Sequence, residues 1–191
     1  MSAPPNPLRR QDNGIDPSPR PFEPIDRDPH FARVVRYFRP SDYGLWAGMA
    51  ALGPVILLGL EKVMPSHGIT RGDLRQGLRH AFGVGVLGGF LYIYQKSSYR
   101  FMGFQENARE LRMDLAEMKA RVAKGEELYG QSLLPPDVQR IAAGNSKNSQ
   151  LLMFFIPWFN LVNHNHHGVD TSKYYDNAEE NKVPLAKSDK E

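Results

Sequence analysis

Residues 43–60 (YGLWAGMAALGPVILLGL) are 18 consecutive residues without a charge. As a helix the run covers roughly 27 Å, close to the ~30 Å hydrocarbon core of a bilayer. Asp42 bounds one end, and Glu61 with Lys62 bounds the other. Tyr43 and Trp46 lie near the first end, where amphipathic rings favour the headgroup level. Residues 81–95 (AFGVGVLGGFLYIYQ) are also uncharged, but 15 residues do not cross alone. Extension to 78–98 gives 21 residues, with Arg79, His80 and Lys96 at the ends, where long cationic side chains can snorkel. Tyr92 and Tyr94 mark the far end. The alternative, a soluble helix pair buried on all sides, needs a large surrounding core. The rest of this 191-residue chain offers little apolar material to build one. The expectation is an all-α membrane protein, a two-helix transmembrane hairpin with spans at 42–62 and within 71–100. Extended N-terminal, amphipathic and irregular C-terminal segments flank it.

Those segments have distinct signatures. Residues 1–29 hold eight of the 15 prolines and read as an extended arm without a core of its own. The arm has no apolar h-region, and its prolines and acids do not suit a cleaved presequence. Residues 30–40 (HFARVVRYFRP) place Phe31, Val34, Val35 and Phe38 at helical spacing with Arg33, Arg36 and Arg39 between them. That is the pattern of a short basic amphipathic helix at a headgroup surface, or of a partner-contact helix. Pro40 then breaks the segment, and Ser41 is a candidate N-cap for the first span. Thr70 and Asp73 have capping spacing at the start of the second helix.

Over residues 104–125 the apolar stripe is Phe104, Ala108, Leu111, Leu115, Met118 and Val122, ending at Gly125. Such a stripe needs a partner surface. Residues 126–191 read as loop with one short helix after Pro135-Pro136-Asp137, an interfacial or partner-buried apolar segment at 151–162 (LLMFFIPWFNLV) and a polar tail. Bases near the spans number three before (Arg33, Arg36, Arg39), four between (Lys62, Arg71, Arg75, Arg79) and three after (Lys96, Arg100, Arg109). The positive-inside rule does not orient such a pattern.

Little in this chain points to chemistry. There is no cysteine, which removes disulfides, thiolate metal sites and a thiol nucleophile. A net charge of +3, from 24 Lys+Arg and 21 Asp+Glu, forms no concentrated stripe for nucleic acid. Gly83, Gly85 and Gly88 match G-x-G-x-x-G, and Glu106 lies near the position of a ribose-binding acid. The fingerprint needs a preceding strand, whereas LRQGLRH precedes it here. Helix packing is the better reading: Gly85 and Gly89 form G-x-x-x-G, as do Gly44 and Gly48. Pro54 within the first span predicts a kink. No Asp, Glu or Lys lies inside either uncharged run, which argues against an ion path. His164, His166 and His167, with Asp170, could ligate a metal, although clustered loop histidines are more often polar surface and nothing nearby would orient them as ligands. No catalytic or cofactor-binding residue is assigned.

Three stretches carry a family resemblance: residues 8–14 (LRRQDNG), 26–43 (DRDPHFARVVRYFRPSDY) and the glycine-rich run leading into 94–110 (YQKSSYRFMGFQENARE). They resemble the fungal 21 kDa-type accessory subunit of mitochondrial complex I, NADH:ubiquinone oxidoreductase. The resemblance covers residues 8–165. It implies a two-pass inner-membrane subunit of the membrane arm, with no cofactor and no catalytic residue of its own. It would support assembly and stability, with other complex I subunits and phospholipids as partners and no nucleic acid. The contact residues expected are Gly85, Gly89, Trp46, Arg36, Leu111 and Leu115. The alternative is a stand-alone hairpin that anchors to or shapes membranes.

Overall fold

The computed structural model describes residues 20–68 and 70–175. Its helices are α1 (Phe31–Arg36), α2 (Pro40–Val63), α3 (Arg71–Phe101), α4 (Ala108–Lys124) and α5 (Pro136–Ser149), with 3-10 turns at Gln150–Leu152 and Ser172–Tyr174. No β-strand occurs among the described residues; an isolated bridge pairs His30 with Asn160. The expected features at residues 8–14, and the tail beyond 175, lie outside the described residues. The chain divides into two compact units.

One unit is Ala32–Ser98 with Gln150–Trp158. Here the expected cap is corrected. Arg39, not Ser41, precedes α2, and Pro40 is its first residue. A proline loses no hydrogen bond there and its fixed φ suits the first turn. Asp42 accepts the Arg39 backbone N–H at 2.8 Å, so it lies within the helix rather than bounding it. The helix expected over 30–40 is shorter than that span. α1 has six residues and buries Arg33 beside Val34. α2 then continues through Pro54 to Val63.

Trp46 meets Gly89, Ala50 meets Gly85, Gly53 meets Ala81 and Leu57 meets Gly77. Rising numbers on α2 meet falling numbers on α3, so the two helices run antiparallel. Among the described helices only α2 is long and apolar enough to cross a membrane by itself. Of the two spans expected, length and composition thus support the first. α3 spends its first third on Arg71, Asp73, Arg75 and Arg79, and its uncharged remainder reaches only about 22 Å.

The other unit comprises residues 20–31, 99–149 and 159–175. The arm is not without a core over 20–29. Ile25 and Asp26 are fully buried, and the Ile25 backbone N–H donates to the Phe101 carbonyl at 2.8 Å. Gly103 admits this approach. It has φ +79°, and a Cβ there would sit 2.5 Å from the Phe22 carbonyl oxygen. That turn also delays the fourth helix, which starts at Ala108 rather than Phe104 and ends at Gly125 in the left-handed conformation.

α4 buries Glu110, Asp114 and Met118, one residue per turn along one face. Of the expected apolar stripe, Met118 is buried and Val122 packs beside it within this chain, whereas Leu115 is exposed and Leu111 half-buried. Met118 packs with Leu128, Tyr174 and Tyr175 in a small apolar cluster. α5 is a 14-residue helix where a short one was expected, with Pro136 as its first residue and the Gln139 N–H returning to the Pro135 carbonyl at 3.0 Å.

At the start of α3, Thr70 Oγ1 accepts the Asp73 N–H at 3.2 Å, and Asp73 accepts the Thr70 N–H at 3.0 Å and its hydroxyl at 2.7 Å. The side-chain and backbone donors of Thr70 hold the Asp73 carboxyl below its ordinary value of 3.8. A depressed carboxylate supports the fold above its unfolded value, and that support is lost as pH falls through the folded one. Amide protection over residues 71–74 is therefore expected to drop as the pH falls below 3.8. In Asp73→Asn this pH dependence should vanish, which hydrogen exchange measures.

Candidate membrane and partner surfaces

The seam between α2 and α3 is made by missing side chains. A Cβ on Gly85 would lie 2.5 Å from the Met49 carbonyl oxygen, and one on Gly89 2.7 Å from the Trp46 ring. Both distances are below van der Waals contact, so these two positions require glycine while the helices stay this close. Trp46 fastens the seam from the other side, its indole N–H donating to the Val86 carbonyl at 2.8 Å. Phe90 stands 5.6 Å from the Trp46 ring and 6.1 Å from Tyr94. Gly44 and Gly48, the other expected pair, have nothing within 4 Å and face away from the seam, as do Gly83 and Gly88. The G-x-G-x-x-G run is thus a helix interior with one glycine, Gly85, in contact. At the end of the hairpin where α2 begins, the Lys96 ammonium lies 3.9 Å from the buried Asp42 carboxylate.

Outside the seam the pair is apolar and bare. Val55, Ile56, Leu58 and Leu60 of α2 and Phe82, Val84 and Leu87 of α3 are exposed. Only 6% of the apolar window of α2 is buried. A soluble core helix shows the opposite pattern. Arg36 is exposed, its guanidinium 5.9 Å from the Tyr37 ring centre.

In the other unit the histidines take a role that neither sequence reading assigned. His164 and His167 are buried, whereas His166 and Asp170 are exposed. Asp170 accepts the Ser172 N–H and hydroxyl instead of joining a ligand set. The partners of the buried pair come from the N-terminal arm. His167 Nδ1 lies 2.7 Å from Asp26 Oδ1, and its Nε2 lies 2.7 Å from the His164 carbonyl oxygen. The carbonyl can only accept, and the carboxylate accepts when ionised, so the network assigns a proton to each ring nitrogen. Its ring stacks on Tyr129 at 3.6 Å.

His164 bonds through Nε2 to Asp28 Oδ2 at 2.8 Å, while its Nδ1 accepts the His166 N–H at 3.2 Å. Asp28 further accepts the Ser146 hydroxyl, and its carbonyl accepts the Asn160 amide at 3.0 Å. Ser146 is bonded to Asp28 and not to a histidine, so no nucleophile–base pair is assembled. Among the described residues, no group of three or more His, Asp or Glu could hold a metal ion. The acids of α4 are paired as well: Glu110 lies 3.7 Å from Arg100 Nε and 3.3 Å from Arg109 Nη1, and Asp114 accepts the Tyr174 hydroxyl.

The two Asp–His pairs join positions 136 and 141 residues apart, so no local spacing could have pointed to them. The only trace in the sequence is the coincidence of D-x-D at 26–28 with H-x-x-H at 164–167.

Two substitutions separate these roles. Gly85→Ala is expected to weaken helix pairing by about 1–3 kcal/mol through overpacking. Gly83→Ala faces open space and should leave pairing unchanged. Titrating the solubilised chain with SDS and following its tertiary signal checks both. Asp28→Ala leaves the buried His164 Nε2 and the Ser146 hydroxyl without their acceptor and is expected to cost about 1–3 kcal/mol. Its thermal midpoint should fall well below that of Asp137→Ala, an exposed control.

Residues 19–106 match the family model described as NADH-ubiquinone oxidoreductase complex I, 21 kDa subunit. Residues 115–186 match the C-terminal model of the same 21 kDa subunit. The NADH-ubiquinone oxidoreductase 20.9 kDa subunit of Neurospora crassa is 53% identical over 155 residues, which is 81% of this chain and 82% of that protein. The chain belongs to the complex I 21 kDa subunit family.

Proposed function

We propose that, as a member of that family, the chain is a non-catalytic accessory subunit of the membrane arm of mitochondrial NADH:ubiquinone oxidoreductase. It resides in the inner membrane and crosses it twice as the α2–α3 hairpin. The observation that carries this reading is the bare apolar exterior of both paired helices. α3 is marginal as a lone span, but the glycine seam ties it to α2 along their length. Inserting α2 alone would leave that seam half in water, so α3 follows, and its flanking Arg79 and Lys96 reach the two headgroup layers.

Function then follows from packing. Exposed positions of the hairpin meet phospholipid and neighbouring helices. In the water-exposed unit, Leu111 and Leu115 on the open face of α4 offer an apolar strip to another subunit, and Arg36 of the hairpin unit offers a cation. The arm is pinned within its own unit by Asp26 and Asp28. Such a subunit supports assembly and stability of the complex without taking part in electron transfer.

On a native gel of detergent-solubilised mitochondria the chain is expected to migrate with a very large assembly carrying NADH dehydrogenase activity, and to stay in the membrane after alkaline carbonate washing. Migration only at small mass would favour a stand-alone hairpin. Extraction by carbonate would end the membrane-spanning reading.

A further inference from the structure

The segment Gln150–Trp158, in the same unit as the hairpin, is folded so that its greasiest side chains point outward. Met153 is 4% exposed, yet Leu151, Phe154 and Phe155 are 82%, 84% and 88% exposed, and Leu152 and Ile156 are bare as well. No residue from 148 to 163 carries a charge. The backbone of the turn is satisfied from within. The Met153 N–H donates to the Gln150 carbonyl at 3.0 Å, and the Phe155 and Ile156 N–H groups donate to the Leu152 carbonyl at 2.9 and 3.0 Å. The remaining carbonyls of Met153 and Phe154 accept from one side chain, the Gln95 amide of α3. Gln95 lies one turn beyond the exposed Leu91 and Tyr92, beside Lys96, where α3 changes from apolar to charged.

We propose that residues 151–156 are a membrane wedge, inserted into the boundary between headgroups and acyl chains and clamped by Gln95 at the level where α3 leaves the bilayer. Three features select lipid over a protein surface. The outward side offers no polar atom to set a partner's register. Backbone groups that lipid would leave unpaired are bonded, the Met153, Phe155 and Ile156 N–H groups within the turn and the Met153 and Phe154 carbonyls by Gln95. The patch is in the same unit as the apolar helix pair, and its Phe, Leu and Ile, with Trp158 beside them in sequence, suit the acyl–headgroup boundary. The wedge fixes how deep the hairpin sits and prevents it from sliding along the membrane normal. It rests on the hairpin reading above.

The test places a photoreactive benzophenone side chain in place of Phe155, and separately in place of Arg112 of α4, in the full chain within the assembled complex in inner-membrane vesicles. After illumination, the Phe155 position is expected to gain the mass of a phospholipid, and the Arg112 position is expected not to. A protein adduct without lipid at 155, or no adduct, overturns the wedge. Carbonate washing of the same vesicles scores the hairpin separately. Retention together with no lipid at 155 sinks the wedge alone, whereas extraction sinks both.

Discussion

Helix α2 has an apolar surface that the described residues leave largely bare, and most of the architecture answers to that fact. Helix α3 packs closely on one face of it. Close contact between the two helices is set by shape. Gly85 and Gly89 provide the shape by letting α3 approach the Met49 carbonyl and the Trp46 ring. Trp46 adds a polar bond across the seam, its indole N–H donating to the Val86 carbonyl. The buried Asp42 marks where this regime ends. It sits at the start of α2, bonded to the Arg39 N–H and within reach of Lys96.

The other unit solves a different problem with little oil. Its apolar cluster is small, built around Met118, Leu128, Tyr174 and Tyr175. What joins distant parts of the chain is a set of buried polar pairs: Asp26 with His167, Asp28 with His164 and Asp114 with Tyr174. Buried pairs of this kind add little net stability compared with apolar packing, but a misplaced one is expensive. They therefore select one arrangement of arm, α4 and C-terminal loop over others of similar compactness.

The helix over 104–125 shows where pattern reading was sound and where it misled. The stripe from Ala108 through Leu115 is real, and the helix forms. Beside Met118 of that stripe, however, Glu110 and Asp114 are also buried, because Arg100, Arg109 and Tyr174 stand ready to satisfy them. Periodicity counts carboxylates as outward by default; it has no access to Arg100 and Tyr174, which lie outside the helix. The same blindness made Gly44 and Gly48 look equivalent to Gly85 and Gly89. All four have the same spacing, but only the last two point at the partner helix.

Taken alone, the sequence narrowed the medium to two choices and determined much of the punctuation. An uncharged run at 43–60 can only be a bare membrane helix or a deeply buried one, and Pro40, Thr70 with Asp73 and Gly125 mark helix limits by their own backbone chemistry. Those outcomes depend on residues within a turn or two of each other. Tertiary structure decided everything set by long separations: which glycines lie in the seam, which face of α4 turns inward, and that the histidines at 164 and 167 answer the aspartates at 28 and 26. A hydrogen bond acts over about 3 Å whatever the distance along the chain, so its partners are named by the fold and not by the spacing.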